Sequence, residues 1–239
     1  MRQLTPDVRE LVLAPDDAPV SYAPGQWLSL HLPITEHPPL IRAYSLATAP
    51  RVDGRLVLCF DRVDGGLGTS YLWTLQIGDT VTFAGPLGNF VLPDTHKDLV
   101  LAAQYTGVVP FRAMLERLDN EADFASSGRR VHLLYESAKL EELVYHDELA
   151  ALAARVSWLD YRPCVTNDIT VEHVPPVRGI AQLMDVQDAI KANAEDWRSF
   201  VPLVCGVREF TLPVRSLFMD RFGLERRAVK VENYTGPTR

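Results

Sequence analysis

Apolar and polar residues alternate over residues 26–32, where Leu28, Leu30 and Leu32 are separated by Ser29 and His31. A period of two sends the leucines to one face of an extended chain, so this segment predicts a half-buried strand. Residues 56–63 and 80–84 read the same way, and Pro24-Gly25, Asp53-Gly54, Asp64-Gly65-Gly66 and Gly78-Asp79 supply turns. Short strands at these spacings predict an antiparallel barrel. After residue 96 the pattern changes. Leu99 to Ala103 is a continuous apolar run, and beyond Gly107 and Pro110 the residues Phe111, Met114, Leu115 and Leu118 recur at i, i+3, i+4 and i+7. That is a buried strand, a turn and an amphipathic helix. The alternation repeats with strand 131–135, a helix carrying Leu140, Leu143, Val144, Leu149, Leu152 and Ala153, and strand 156–161. Helix 183–190, strand 201–205, helix 212–222 stopped by Gly223, and a last strand 228–234 follow. Strands alternating with helices predict a parallel sheet covered on both faces. The chain reads as two domains, 1–96 and 97–239.

Composition narrows the function classes. The apolar share of 47% over 239 residues is enough to bury two cores. Lys+Arg 24 against Asp+Glu 31 leaves a net charge of −7 without a basic block, so no nucleic-acid partner is expected. The three cysteines, Cys59, Cys164 and Cys205, lack a CxxC spacing, which argues against a disulfide framework and a zinc site and predicts a cytoplasmic protein. Three dispersed thiols also fall short of the four that a plant-type iron–sulfur cluster needs. The apolar runs at 11–14 and 99–103 are too short for a signal sequence or a membrane span of roughly 20 residues, so neither is expected.

Candidate chemistry lies in three segments of the first part. In Arg42-Ala43-Tyr44-Ser45-Leu46, alternation sends Arg42, Tyr44 and Leu46 to one face, where a cation and a planar aromatic can share a groove. Some twenty residues on, Gly65-Gly66-Leu67-Gly68-Thr69-Ser70 runs glycines into hydroxyls and then into an apolar stretch that can start a helix. Bare backbone N–H groups at such a turn form an anion site, to which Thr69 or Ser70 can add a hydroxyl. The third segment is Gly85-Pro86-Leu87-Gly88-Asn89-Phe90. Each segment alone also reads as a plain loop or a surface strand.

Together, in this order, the segments resemble the ferredoxin–NADP reductase family, with its RxYS(L) motif, its GGxxS/T segment and its GPxGxF turn. The resemblance extends from Leu4 to Tyr234. It implies an antiparallel six-stranded Greek-key β-barrel that binds FAD, followed by an α/β Rossmann-like domain with a parallel sheet for a nicotinamide nucleotide. By this resemblance Arg42 neutralises the FAD pyrophosphate, Tyr44 stacks on the isoalloxazine and Ser45 hydrogen-bonds near flavin N5. Gly66, Thr69 and Ser70 hold the other side of the pyrophosphate, and Ala43 and Gly68 lie within the same two segments. Thr106-Gly107 and Pro110 match the end of the family's GGTGIAP turn, Cys205-Gly206 its CG, and Glu232 with Tyr234 its terminal ExY. Ser45, Cys205, Glu232 and Tyr234 are thereby the candidate catalytic residues.

The second half departs from the family at three places. Gln104-Tyr105 stands where two glycines let backbone approach the pyrophosphate, Glu136-Ser137-Ala138 replaces a Gly-x-Arg, and Val207 replaces a proline. A carboxylate disfavours a 2′-phosphate, so NADH is expected over NADPH. The sequence therefore predicts an FAD-dependent oxidoreductase that exchanges electrons between NADH and an acceptor or donor protein, an iron–sulfur protein being one kind. The alternative is a flavin-binding electron-transfer subunit that does not use NAD(P)H directly. The first reading needs Gln104 and Tyr105 swung aside; the second has them filling the groove.

Overall fold

The computed structural model describes residues 1–16, 18–35, 38–168, 178–193 and 195–234. The chain divides into two compact units, one of residues 1–93 with 109–117 and one of residues 94–108 with 118–239.

The first unit holds β1 (Arg2–Thr5), β2 (Val8–Leu13), β3 (Trp27–Leu32), β4 (Leu40–Ser45), β5 (Leu56–Asp61), helix α1 (Leu67–Thr74) and β6 (Thr82–Leu87). All six strands are antiparallel, in sheets ordered β1-β2-β5 and β4-β3-β6, and an antiparallel bridge from Leu46 to Leu58 joins the end of β4 to β5. The alternation read from the sequence sets the interior: Leu28, Leu30 and Leu32 are fully buried with Leu46, Leu56, Leu58 and Phe60. Each such side chain contributes about 1.5–3 kcal/mol on leaving water. The strand expected at 80–84 lies at Thr82–Leu87 and pairs with β3 across a bulge between Trp27 and Ser29.

The second unit holds a six-stranded parallel sheet. In chain order come β7 (Asp98–Gln104), then α2 (Val109–Asp119), whose residues 109–117 belong to the first unit, then β8 (Val131–Ser137), α3 (His146–Arg155), β9 (Leu159–Val165) and β10 (Gln182–Leu183). They are followed by α4 (Val186–Ala192), β11 (Phe200–Val207), α5 (Arg208–Asp220) and β12 (Lys230–Tyr234). The spatial order is β10-β9-β8-β7-β11-β12. On one face Val186, Ile190, Val214 and Phe218 of α4 and α5 pack on Val100, Ala102, Leu134 and Val204. On the other, His146 of α3 meets Tyr161 of β9, with His146 Nδ1 and Tyr161 Oη 2.9 Å apart.

Three helix expectations shift, each for a local reason. The helix expected through residues 140–153 breaks, because Tyr145 takes a left-handed φ of 63° and the N–H of Val144 donates to the Tyr135 hydroxyl at 2.8 Å. A short 3-10 turn covers Leu140–Glu142 and α3 begins only at His146. Leu183 pairs with Val165 as a strand, and the helix starts after Asp185, whose carboxylate accepts from the N–H of Asp188 at 2.7 Å. Helix α5 starts at Arg208 rather than near Leu212 and carries Pro213 inside.

In the first unit α2 is tied down by side chains. Arg112 donates to the carbonyl of Ala47 at 2.6 Å, Glu116 accepts from the N–H of Ala49 at 2.9 Å, and the Phe90 and Phe111 rings lie 5.8 Å apart.

Candidate functional site

In the first unit, β4 places Arg42 and Tyr44 opposite Leu30 and Leu28 of β3, on the face that these core leucines share. The Tyr44 ring meets Phe60 edge-on at 5.8 Å, and Phe60 meets Trp73 of α1 at 5.9 Å. Burial pushes the Tyr44 phenol up to about 12, against the opposing pull of Arg42, so the ring remains a neutral hydroxyl. Ala43 is exposed and Ser45 is buried.

Helix α1 begins where the glycine-rich segment predicts. Gly66 is its N-cap and offers no side chain to the first turn. The first N–H groups and the positive end of the helix dipole therefore point outward uncapped. Arg42 lies against this turn: a methyl at Gly68 would stand 3.0 Å from Arg42 Cγ and 3.6 Å from Nε, so glycine gives the Arg42 stem room beside the helix start, while Nη1 donates to the carbonyl of Ile41 at 2.8 Å. The hydroxyl of Thr69 serves the turn itself, accepting from the N–H of Val63 at 3.2 Å and donating to the carbonyl of Gly66 at 3.3 Å. Ser70 is exposed. A guanidinium beside an uncapped helix end suits a pyrophosphate, and an aromatic two residues along the strand suits a flat ring system, so the residues fit FAD. Sequence reasoning missed Arg9, which lies 4.2 Å from the Trp73 ring centre and donates to the Trp73 carbonyl at 2.9 Å, anchoring the far end of α1.

In the second unit, candidate residues cluster at the carboxyl ends of the strands, where open α/β sheets take their ligands. Cys205 pairs with Glu232 and Gly206 with Asn233 in the β11–β12 register, and the Tyr234 side chain hydrogen-bonds Cys205. The thiol is wholly buried; burial first, and the Glu232 charge next, push it well above its ordinary value. Thr211 of α5 donates to Asn233 Oδ1, bracing β12 next to Glu232 and Tyr234. Thr106 and Gly107 are buried in a 3-10 turn over Tyr105–Val108. A methyl at Gly107 would lie 2.3 Å from the carbonyl oxygen of Cys205, so glycine is what permits the turn to press on β11. Pro110 is the second residue of α2, in the first unit.

The departures are engaged with one another. Gln104 Nε2 donates to Glu136 Oε1 at 3.1 Å, and Glu136 Oε2 accepts from the N–H of Val186, the first residue of α4, at 2.9 Å. Burial raises the Glu136 carboxyl; the Val186 N–H and the Gln104 amide pull it down, and the Asp185 charge pushes it up. Sequence reasoning cast Glu136 as a carboxylate that disfavours a 2′-phosphate; the structure gives it a further task, accepting from the N–H that opens a helix fifty residues on. Tyr105 takes a left-handed φ of 49°. Among the described residues no group of three or more His, Cys, Asp or Glu forms a metal site, and no helix is long and apolar enough to cross a membrane.

Residues 1–92 match the Oxidoreductase FAD-binding domain family. Ferredoxin–NADP reductase B of Sorangium cellulosum is 31% identical over 242 residues, which cover 98% of this chain and 94% of the relative. The electron transfer component of toluate 1,2-dioxygenase from Pseudomonas putida is 35% identical over 149 residues, 62% of this chain and 42% of that protein. The chain thus matches less than half the length of this second relative. Among solved structures, the Flavohem-like-FAD/NAD binding domain of nitric oxide dioxygenase from Vibrio cholerae superposes with a TM-score of 0.80 at 23% identity, covering 98% of this chain and 94% of that one. It shows that the two share a fold.

Proposed function

Because the chain belongs to the ferredoxin–NADP reductase-like family of FAD-dependent oxidoreductases, we propose that it carries noncovalent FAD and passes electrons between a nicotinamide nucleotide, NADH in preference to NADPH, and an electron-transfer protein, an iron–sulfur protein being the first kind to test. The observation that carries the reading is Arg42 lying against the uncapped first turn of α1, with Tyr44 two residues along the same strand face. We assign flavin binding to residues 1–96 and nicotinamide binding to residues 97–239. Bound FAD supplies the chemistry that joins a two-electron donor to a one-electron acceptor. The chain supplies the rest: Arg42 and the amino end of α1 neutralise phosphate, Tyr44 offers a neutral ring to lie on, and Ser45 offers a hydroxyl at the same strand end. In the second unit Cys205, Glu232 and Tyr234 form one cluster at the strand ends, the place for positioning a nicotinamide. Glu136 and Asp185 set two carboxylates beside the α4 start, and like charge there rejects a 2′-phosphate.

A second reading rests on the bond between Gln104 and Glu136, which spans the ends of β7 and β8 where a dinucleotide would enter. On that reading the protein holds FAD as an electron-transfer subunit and does not take NAD(P)H directly. Anaerobic mixing of the purified FAD-loaded protein with NADH and with NADPH, followed by flavin absorbance, separates the two. Rapid bleaching by NADH supports the first; a flavin that stays oxidised while dithionite still reduces it supports the second. Protein that takes up no FAD in a titration overturns both.

A further inference from the structure

At the opposite end of the parallel sheet, β8 and β9 begin with a polar pair. His132 and Asp160 are register partners, each the second residue of its strand. Glu136 lies four positions beyond His132 along β8, so at about 3.3 Å per residue this end lies roughly 13 Å from the strand ends assigned to the nucleotide. A cavity of about 320 Å3 opens here, lined in part by Arg130, His132, Asp160, Arg162, Arg178 and Glu195. That volume is at the low end for small-molecule pockets, roughly 300–1,000 Å3.

The polar groups in this cavity are unevenly satisfied. Glu195 is spent: Arg130 holds both its oxygens, Nη1 to Oε1 at 2.7 Å and Nη2 to Oε2 at 3.1 Å, while Arg130 Nε holds Asp98. Asp160 Oδ2 is spent on Arg162, with Nε and Nη2 both at 2.9 Å. The donors are in surplus. Arg178 gives Nη1 and Nη2 to the carbonyls of Ala153, Val156 and Ser157, at the end of α3, and among the described residues neither its Nε nor Nη1 of Arg162 meets an acceptor. His132 is 4% exposed, and its ring is held edge-on by Trp197 and Phe200 at 5.3 Å each. Its Nδ1 is 2.9 Å from Asp160 Oδ2, off good hydrogen-bond alignment yet close enough to help hold that carboxyl below its ordinary range, while its Nε2, 3.7 Å from Glu195 Oε1, has no hydrogen-bond partner among the described residues. A buried ring nitrogen left in this way calls for a partner.

We propose that this cavity is a second binding site, for a small metabolite bearing a carboxylate or a phosphate. Arg130, Arg162 and Arg178 balance Asp98, Asp160 and Glu195 in charge, but Nη1 of Arg162 and Nε of Arg178 remain unspent N–H groups, which an oxyanion satisfies and an ammonium does not. The ligand bridges Arg162 and Arg178 and takes a hydrogen bond from His132, with Ser157 at the rim. The walls come from the starts of β8 and β9, from residue 178 and from the link between α4 and β11, so occupancy braces the base of the sheet independently of FAD or nicotinamide.

The test titrates FAD-loaded protein with sodium phosphate and, separately, with disodium succinate, against sodium chloride at matched ionic strength. The readouts are melting temperature and the 15N signals of the histidine rings, with His132 assigned by its loss in His132→Gln. The expected result is a saturable movement of the His132 ring signal and a rise in melting temperature with at least one probe and not with chloride. Arg178→Gln, an exposed position, and Arg162→Gln are each expected to weaken that binding about tenfold or more. Phosphate alone identifies a phosphate monoester as the ligand class, succinate alone a carboxylate. If Arg162→Gln does not fold, Arg178→Gln carries the test. No saturable change beyond chloride, or equal binding by wild type and Arg178→Gln, overturns the proposal.

Discussion

The two units treat their candidate polar groups in opposite ways. In the first, Arg42 is exposed and spends only Nη1, on the carbonyl of Ile41 at 2.8 Å, and the amino end of α1 has no side-chain cap, so most of the donors stand ready before any anion arrives. In the second, Gln104, Glu136 and the N–H of Val186 satisfy one another, as do Cys205 with Tyr234 and Thr211 with Asn233. A ligand of the first unit finds a site already assembled, whereas a ligand of the second must displace protein hydrogen bonds. Preorganisation lowers the cost of binding, so on the proposed function this contrast makes FAD the resident group and a nicotinamide nucleotide the visitor.

The largest expected effect is on the open side. Arg42→Ala deletes a charge-assisted phosphate contact worth about 1.5–3 kcal/mol. FAD affinity in a fluorescence titration should fall roughly tenfold to a hundredfold, against a few-fold for Ser45→Ala. Equal losses from the two changes would mean that Arg42 does not face the phosphates. Next comes Gly107→Ala, which sets a methyl against the Cys205 carbonyl. Overpacking of this kind costs about 1–3 kcal/mol; the loss should show in urea unfolding of the second unit, with FAD affinity little changed.

A smaller effect probes the engaged side through charge. Glu136→Gln should raise the rate of flavin reduction by NADPH relative to NADH a few-fold, since it removes one of the two carboxylates near α4. The same residue gives a pH signature. Its carboxyl is raised in the folded state, so its ionisation costs stability at neutral pH, and that cost is relieved as pH falls toward the raised value. The wild-type NADPH-to-NADH rate ratio should therefore climb on acidification, and the slope should flatten in Glu136→Gln. A slope that persists in the variant assigns the effect elsewhere. The smallest expected change is a gain: Gln104→Gly with Tyr105→Gly should strengthen NADH binding a few-fold at equal FAD occupancy. Glycine at 105 fits the left-handed backbone already present there, so the turn should not loosen. Unchanged NADH affinity in a stably folded double variant would show that neither side chain obstructs.

Much of this was legible in the sequence because it is local. The alternation of Leu28, Leu30 and Leu32 set the first core, the apolar run at 99–103 gave β7, and the glycines before Thr69 announced the start of α1. What stayed hidden depends on distant partners. Glu136 caps a helix fifty residues away, and no periodicity couples those positions. Nothing local in the sequence couples His132 to Asp160; only the parallel register of β8 and β9 sets the two against each other. The break at Tyr145 came from a backbone turn that an apolar pattern does not encode.

The return of residues 109–117 to the first unit bears on how the polypeptide is made. During synthesis the flavin-binding barrel cannot be completed when its last strand leaves the ribosome at residue 87, because Arg112 and Glu116 of α2, which grip the backbone at Ala47 and Ala49, have yet to emerge. By the time they do, β7, the first strand of the second unit, has already emerged. The two units are interleaved in time, and the barrel waits on a helix encoded inside the sequence of its neighbour. A fragment ending at residue 96 would retain all six barrel strands yet lack this clamp, so recombining the two halves between relatives calls for a junction beyond residue 117.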